Sequence, residues 1–173
     1  MEPQTEHPTH DADDFIFDAF YAGAIGGSVV AIFFLVVDLI NGQAFFTPSL
    51  MGTVLFTGVA AESVTSVQLD MVTYYTLVHF LTFGILGAAS SIAVHEVEMH
   101  AHHPYLVLAV LLVVFEMGFI LMASIFMYGI IQVIGVLPIT IANILAAGSI
   151  GGFLYTTHQP GAWSRIKHSA HLT

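Results

Sequence analysis

Four stretches of this chain run for about twenty residues with almost no charge, and they decide what it can fold into. Residues 19–37, 71–94 and 137–156 hold no Asp, Glu, Lys or Arg, and 105–131 hold a single carboxylate, Glu116. About 20 apolar residues cross the ~30 Å hydrocarbon layer as a helix, so each stretch suffices for one span. The stretches are Leu, Ile, Val, Phe and Ala with scattered Gly, without the in-and-out alternation of a membrane barrel strand. Of 173 residues, 57% are hydrophobic and 8% charged, against roughly 25% charged in a soluble domain. A chain this short cannot hide that much apolar surface inside a water-facing core. The expected fold class is all-α: a polytopic membrane protein with a bundle of four transmembrane helices, over about 17–40, 72–95, 105–131 and 137–156. The segment before the first span is acidic and no small-residue cleavage site follows, so that span reads as a membrane helix rather than a cleaved leader.

An acidic N-terminal arm (1–14), the bundle (15–158) and a short C-terminal tail (159–173) make up the chain. The loop 41–70 opens with Asn41-Gly42 and holds a short apolar run after Thr47-Pro48. Thr47 suits an N-cap and Pro48 the first helical turn, which predicts a short helix in the membrane interface. Gly135-Val136-Leu137-Pro138 predicts a tight turn between the last two spans. Arg165 and Lys167 are the only cations, both after the last span. The positive-inside rule then puts the C-terminus in the cytoplasm, and an even number of spans puts the N-terminus and the 95–104 loop there too. Tyr21, Tyr105, Tyr155 and Trp163 would mark that interface, and Tyr74, Tyr75 and Tyr128 the outer one.

Helix packing is expected at small residues: Gly23 with Gly27, Gly84 with Ala88, and Gly148 with Gly152, each pair four apart. Ionisable and amide groups inside a bilayer are costly and need partners or a function. Asp38, His79, Glu116 and Asn143 are the intramembrane polar set. At 1.5 Å per residue, His79 and Asn143 lie at matching depth, roughly 9–10 Å from the outer ends of their helices. Together with Glu116 they are expected to line a polar pocket or to satisfy one another across helices. A haem held by two intramembrane histidines is excluded, because only His79 lies in a span.

With no cysteine, disulfides, thiolate metal sites and thiol catalysis are excluded. Two cations against a net charge of −10 exclude nucleic acid as a partner. Ten histidines are present, nine of them outside the spans. His95, Glu96, Glu98, His100, His102 and His103 form the densest group, a candidate site for a divalent transition metal. The alternative is a solvated face that uses titratable His in place of Lys and Arg. HEVEMH is not the H-E-x-x-H zinc motif, since its second histidine comes one residue late. No other cofactor is evident.

Four stretches carry a resemblance: Val37-Asp38-Leu39-Ile40 with Ala44-Phe45-Phe46-Thr47-Pro48, then Tyr75-Thr76-Leu77-Val78-His79, then Phe115-Glu116, then Ala142-Asn143-Ile144-Leu145-Ala146. They resemble a group of bacterial four-span membrane proteins to which no activity is assigned. The resemblance covers about 20–158 and implies topology and a bacterial inner membrane location, with no chemistry. The expected function is a non-catalytic accessory subunit of a larger membrane complex, respiratory or photosynthetic, with lipid and other subunits as partners. A small metal- or proton-handling transporter and a histidine-rich metalloprotein are the alternatives.

Overall fold

A computed structural model describes residues 10–100 and 128–158, with positions 110, 113, 117, 118 and 121 between them; side chains are described over 16–93 and 129–157 and at those five positions. Helix α1 spans His10–Ile40, α2 Phe46–Thr57, α3 Leu69–His100, α4 Tyr128–Ile134 and α5 Val136–His158. A 3-10 turn covers Ala61–Ser63. The described residues are all helix and connection, with no strand. Three segments are long and apolar enough to cross a membrane: Ile16–Ile40, Leu69–Ala93 and Val136–Thr157. They correspond to the first, second and fourth expected spans. Most of the remaining one, 105–131, lies outside the described residues; the positions described within it are helical, and α4 begins near its end.

Along α1 the small residues lie inside, and α5 buries alanines beside Ile139, Ile150 and Leu154. α1 buries Ala19, Ala22, Gly23, Gly26 and Gly27 while it exposes Phe20, Ile32, Val36 and Leu39. α5 buries Ala142, Ala146 and Ala147 and exposes Leu137, Ile144 and Leu145. A helix in water would bury the large apolar side chains. In lipid the surroundings are as apolar as leucine, so close backbone contact drives association instead. The exposed apolar surface is compatible with contact to lipid tails.

α1 is the central helix. At its crossing with α3, a Cβ on Gly23 would stand 2.5 Å from the Phe83 carbonyl oxygen and 2.9 Å from the Gly84 Cα. One on Gly87 would strike the Ala19 carbonyl oxygen and stand 2.8 Å from the Gly23 Cα. Gly27 lies against the ring of Phe80 and the Cβ of Phe83. On its other side α1 meets α5 through Gly26 and Ile150, and Ala22, Phe83, Ala146, Ile150 and Leu154 form one buried cluster. Of the expected α3 pair, Gly84 is thus present at the crossing, but its own Cβ position is open; Gly87 is the α3 glycine that admits no side chain. Gly148 and Gly152 are exposed, with nothing among the described residues within 4 Å of their Cβ positions.

The loop between α1 and α3 is folded. α1 ends in a Schellman turn: the Gln43 N–H reaches the Asp38 carbonyl at 2.9 Å, the Gly42 N–H reaches that of Leu39 at 3.0 Å, and Gly42 takes φ +74°. Leu50, Ala61, Val64 and Ile130 then form a second buried cluster that joins α2, the 3-10 turn and α4. Between α4 and α5 only Gly135 is non-helical, at φ +87°, and Pro138 sits in the first turn of α5 where a missing N–H leaves nothing unsatisfied.

The crossing yields a prediction. Gly87→Ala forces the α1 and α3 backbones apart and should lower unfolding stability in detergent by about 1–3 kcal/mol, the usual range for overpacking. Gly148→Ala, at an open position, should leave stability unchanged or raise it by up to about 1 kcal/mol through helix propensity. Denaturant unfolding followed by circular dichroism separates the two.

Candidate functional site

The first turn of α2 shows why Asp38 is where it is. A helix start leaves its leading N–H groups without intrahelical partners. Here the Phe46 N–H reaches the Gln43 carbonyl at 3.0 Å, and Pro48 has no N–H. The Thr47 N–H donates to Asp38 Oδ2 at 2.8 Å, and Thr47 Oγ1 donates to Asp38 Oδ1 at 2.7 Å. Both residues are buried. The carboxylate therefore caps α2 from the last turn of α1. This corrects the capping expected from sequence: Phe45 (φ +65°) occupies the N-cap, Thr47 is the second helical residue and Pro48 the third. Asp38 also carries favourable charge at the positive end of the α2 dipole. Farther along α2, Ser49 Oγ accepts the Gln68 N–H at 2.8 Å, which fixes the start of α3. α2 thus straps α1 to α3.

Above this strap lies a cavity of about 430 Å³, walled by α1, α2, α3, α4 and α5, with Gly118 also on its lining. Most of the wall is apolar, from Val30, Phe34 and Leu35 on α1 to Met51 and Leu55 on α2. His79 and Asn143, at matching depth in the sequence, both line it. Asp38 does not, although its partner Thr47 does. Glu116, expected at the floor of such a pocket, lies outside the described residues.

His79 spans the α1–α3 interface. Its Nε2 lies 2.9 Å from the Gly27 carbonyl oxygen. A carbonyl only accepts, so Nε2 carries the proton and donates. Gly27 leaves that oxygen reachable because no Cβ stands beside it. The imidazole is walled by rings of its own helix: Phe83 at 4.8 Å, Phe80 at 5.3 Å and Tyr75 at 5.7 Å between centroids. Asn143 differs, since its Nδ2 is buried and has no hydrogen-bond partner among the described residues. A buried amide left in that state costs about 1–3 kcal/mol.

Two residues of this site take a role beyond the one the sequence predicts. Tyr75 stands four residues before His79, on the same helical face, but was assigned to the membrane interface; it lines the cavity. Thr47 was read as a cap for its own helix rather than as the partner of Asp38. The histidine group is only partly placed. α3 is helical through His100 and so carries His95, Glu96, Glu98 and His100, but the side chains of these four lie outside the described ones, as do His102 and His103 altogether. Among the described residues no three His, Asp or Glu stand close enough to hold a metal.

Asp38→Ala removes both acceptors from Thr47 and should lower stability by about 2 kcal/mol, whereas Thr47→Ala, which keeps the backbone bond, should cost about half as much. Detergent unfolding of the two variants and the double variant checks this: the double variant should be no less stable than Asp38→Ala by more than a few tenths of a kcal/mol.

The chain matches no protein-family model, no curated protein and no solved structure.

Proposed function

We propose that the chain is a four-span membrane protein of a bacterial inner membrane, with both termini in the cytoplasm, and that it acts as a non-catalytic accessory subunit of a larger membrane complex. One observation carries this reading: the bare face of α5. Gly148 and Gly152 stand one turn apart on an exposed surface, with nothing among the described residues within 4 Å of their Cβ positions. A glycine in a helix interior costs about 1 kcal/mol relative to alanine, and in a membrane helix it admits the backbone of another helix. Exposed Ile144 and Leu145 stand on the preceding turn. Such a face suits a helix of a neighbouring subunit. The cavity supports a second reading, that of a small membrane transporter or ligand-binding protein. Its wall is largely apolar, which suits a lipid-soluble occupant better than a metal ion or a proton path.

Replacing both glycines (Gly148→Leu with Gly152→Leu) should leave the isolated protein folded, with unchanged helix content. Partner proteins recovered with it in mild detergent should fall at least severalfold. Undiminished recovery would remove the accessory-subunit reading. Topology is tested separately with Ala60→Cys and Ala101→Cys: an impermeant thiol reagent applied from outside should label the first and spare the second.

A further inference from the structure

The cavity also has a chemistry of its own. Three polar groups on its wall bear on what it can hold. Asn143 Nδ2 is buried with no hydrogen-bond partner among the described residues, so its two N–H donors are unused there. The Tyr75 hydroxyl makes no hydrogen bond among the described residues, although its side chain lines the cavity. His79 has Nε2–H committed to the Gly27 carbonyl, so its Nδ1 is the nitrogen left over, an acceptor in neutral imidazole. Thr76 and Thr82, also on the wall, donate to the carbonyls of Val72 and Val78 within α3. No Lys, Arg, Asp or Glu is among the described lining residues.

These facts restrict the occupant. With no cationic side chain among the described lining residues, a fatty-acid carboxylate or a phosphate finds no counter-charge there, which favours a neutral ligand. With an apolar wall, it is lipid-soluble. The unused donors call for an acceptor oxygen, and a carbonyl fits them best. The volume of about 430 Å³ lies within the usual range for a drug-sized ligand. On the α3 side, the rings of Tyr75, His79, Phe80 and Phe83 offer an aromatic wall against which a flat ring can lie.

We propose that this cavity binds a neutral, lipid-soluble ring compound bearing a carbonyl, the chemistry of a membrane quinone. Asn143 lines the cavity while its Nδ2 is shielded from the open space; a turn of the amide about its Cβ–Cγ bond lets it donate to the carbonyl oxygen, the Tyr75 hydroxyl is the second donor, and the ring lies in the apolar space between α1 and α3. The proposal concerns binding and adds no electron transfer. It is independent of the accessory-subunit reading, which rests on the opposite feature, the outer face of α5.

The test uses the full-length protein in lipid nanodiscs. The probe is a benzoquinone with a ten-carbon tail, and decylbenzene serves as the carbonyl-free comparator. Retention over empty discs is measured by equilibrium dialysis. The quinone should be retained saturably at one per chain, and decylbenzene should not. Asn143→Leu keeps the branched shape and removes the donors, and should weaken quinone retention roughly two- to tenfold, the range of one hydrogen bond. Tyr75→Phe should weaken it within the same range. Because Asn143 Nδ2 has no hydrogen-bond partner among the described residues, Asn143→Leu without probe should melt no lower than the parent. Equal retention of the two probes would overturn the proposal, as would unchanged quinone retention in both variants. A loss of fold in Asn143→Leu would make that residue a packing element and count against it, leaving Tyr75→Phe to decide. A phospholipid seen by native mass spectrometry that the quinone does not displace would assign the cavity to a lipid tail and also overturn it.

Discussion

Everything in this bundle depends on how closely two backbones approach. α1 and α3 meet where Gly23 faces the Phe83 carbonyl and Gly87 faces that of Ala19. Lipid gives helices no hydrophobic reason to associate, so contact at this distance, repeated along the crossing, supplies the attraction. The arrangement follows from that constraint. Small residues of α1 converge on the inside with a few large side chains such as Phe83, Ile150 and Leu154, while many large apolar side chains point outward. The close approach also exposes backbone oxygens to the neighbouring helix, which is how His79 reaches the Gly27 carbonyl. An interhelical bond of this kind contributes about 0.6 kcal/mol on average, so it fixes register more than it adds stability.

The strap works by a different force. A buried carboxylate is costly unless its oxygens are filled. Asp38 fills both from one residue, taking the backbone and hydroxyl hydrogens of Thr47. Its place three residues from the end of α1 sets a negative group at the unfavourable end of that helix's dipole and the favourable end of the next. The two helices are joined by only five residues, so the group is local to both ends. Ser49, two residues on, repeats the device toward α3 through Gln68. A polar side chain therefore fixes each end of the connection while Leu50 provides its apolar anchor.

Much of this was legible because the signals are local. Charge-free length marks spans whatever they pack against, and three of the four expected helices are present within a few residues of their expected bounds. The short helix after the first span was legible from Thr47-Pro48 for the wrong reason: the pair does open a helix, but the cap comes from Asp38, nine residues back. A four-residue glycine spacing marks a face without saying what covers it. Gly23 and Gly27 are covered by α3, and nothing among the described residues covers Gly148 and Gly152. Gly87 was missed because its importance lies in what opposes it, the backbone of Ala19 and Gly23, and no pattern within α3 shows that. His79 and Asn143 came together on equal depth alone, whereas Tyr75 needed the knowledge that the α3 face bearing His79 looks into a cavity.

The cavity itself follows from the two modes of packing. At the Gly23–Gly87 end, α1 and α3 touch backbone to backbone and leave no room. Toward the other end α1 continues as Val30, Phe34 and Leu35, and α3 as Tyr75 and Val72, all of them too bulky for the same contact. There α2 comes between, held by Asp38 and Ser49 at points its backbone cannot leave, with Met51 and Leu55 on the wall. Glycine brings the helices together at one end and the strap sets their spacing at the other. The gap between these fixed points cannot close by sliding either helix, because sliding would drive Gly87 off the Ala19 carbonyl or part Asp38 from Thr47. A void held open in this way lacks the dispersion contacts its wall would otherwise make, and Asn143 adds an unpartnered amide to it. Both penalties fall when a ligand of matching shape and hydrogen-bonding enters, and the crossing and the strap are what keep that space from collapsing in its absence.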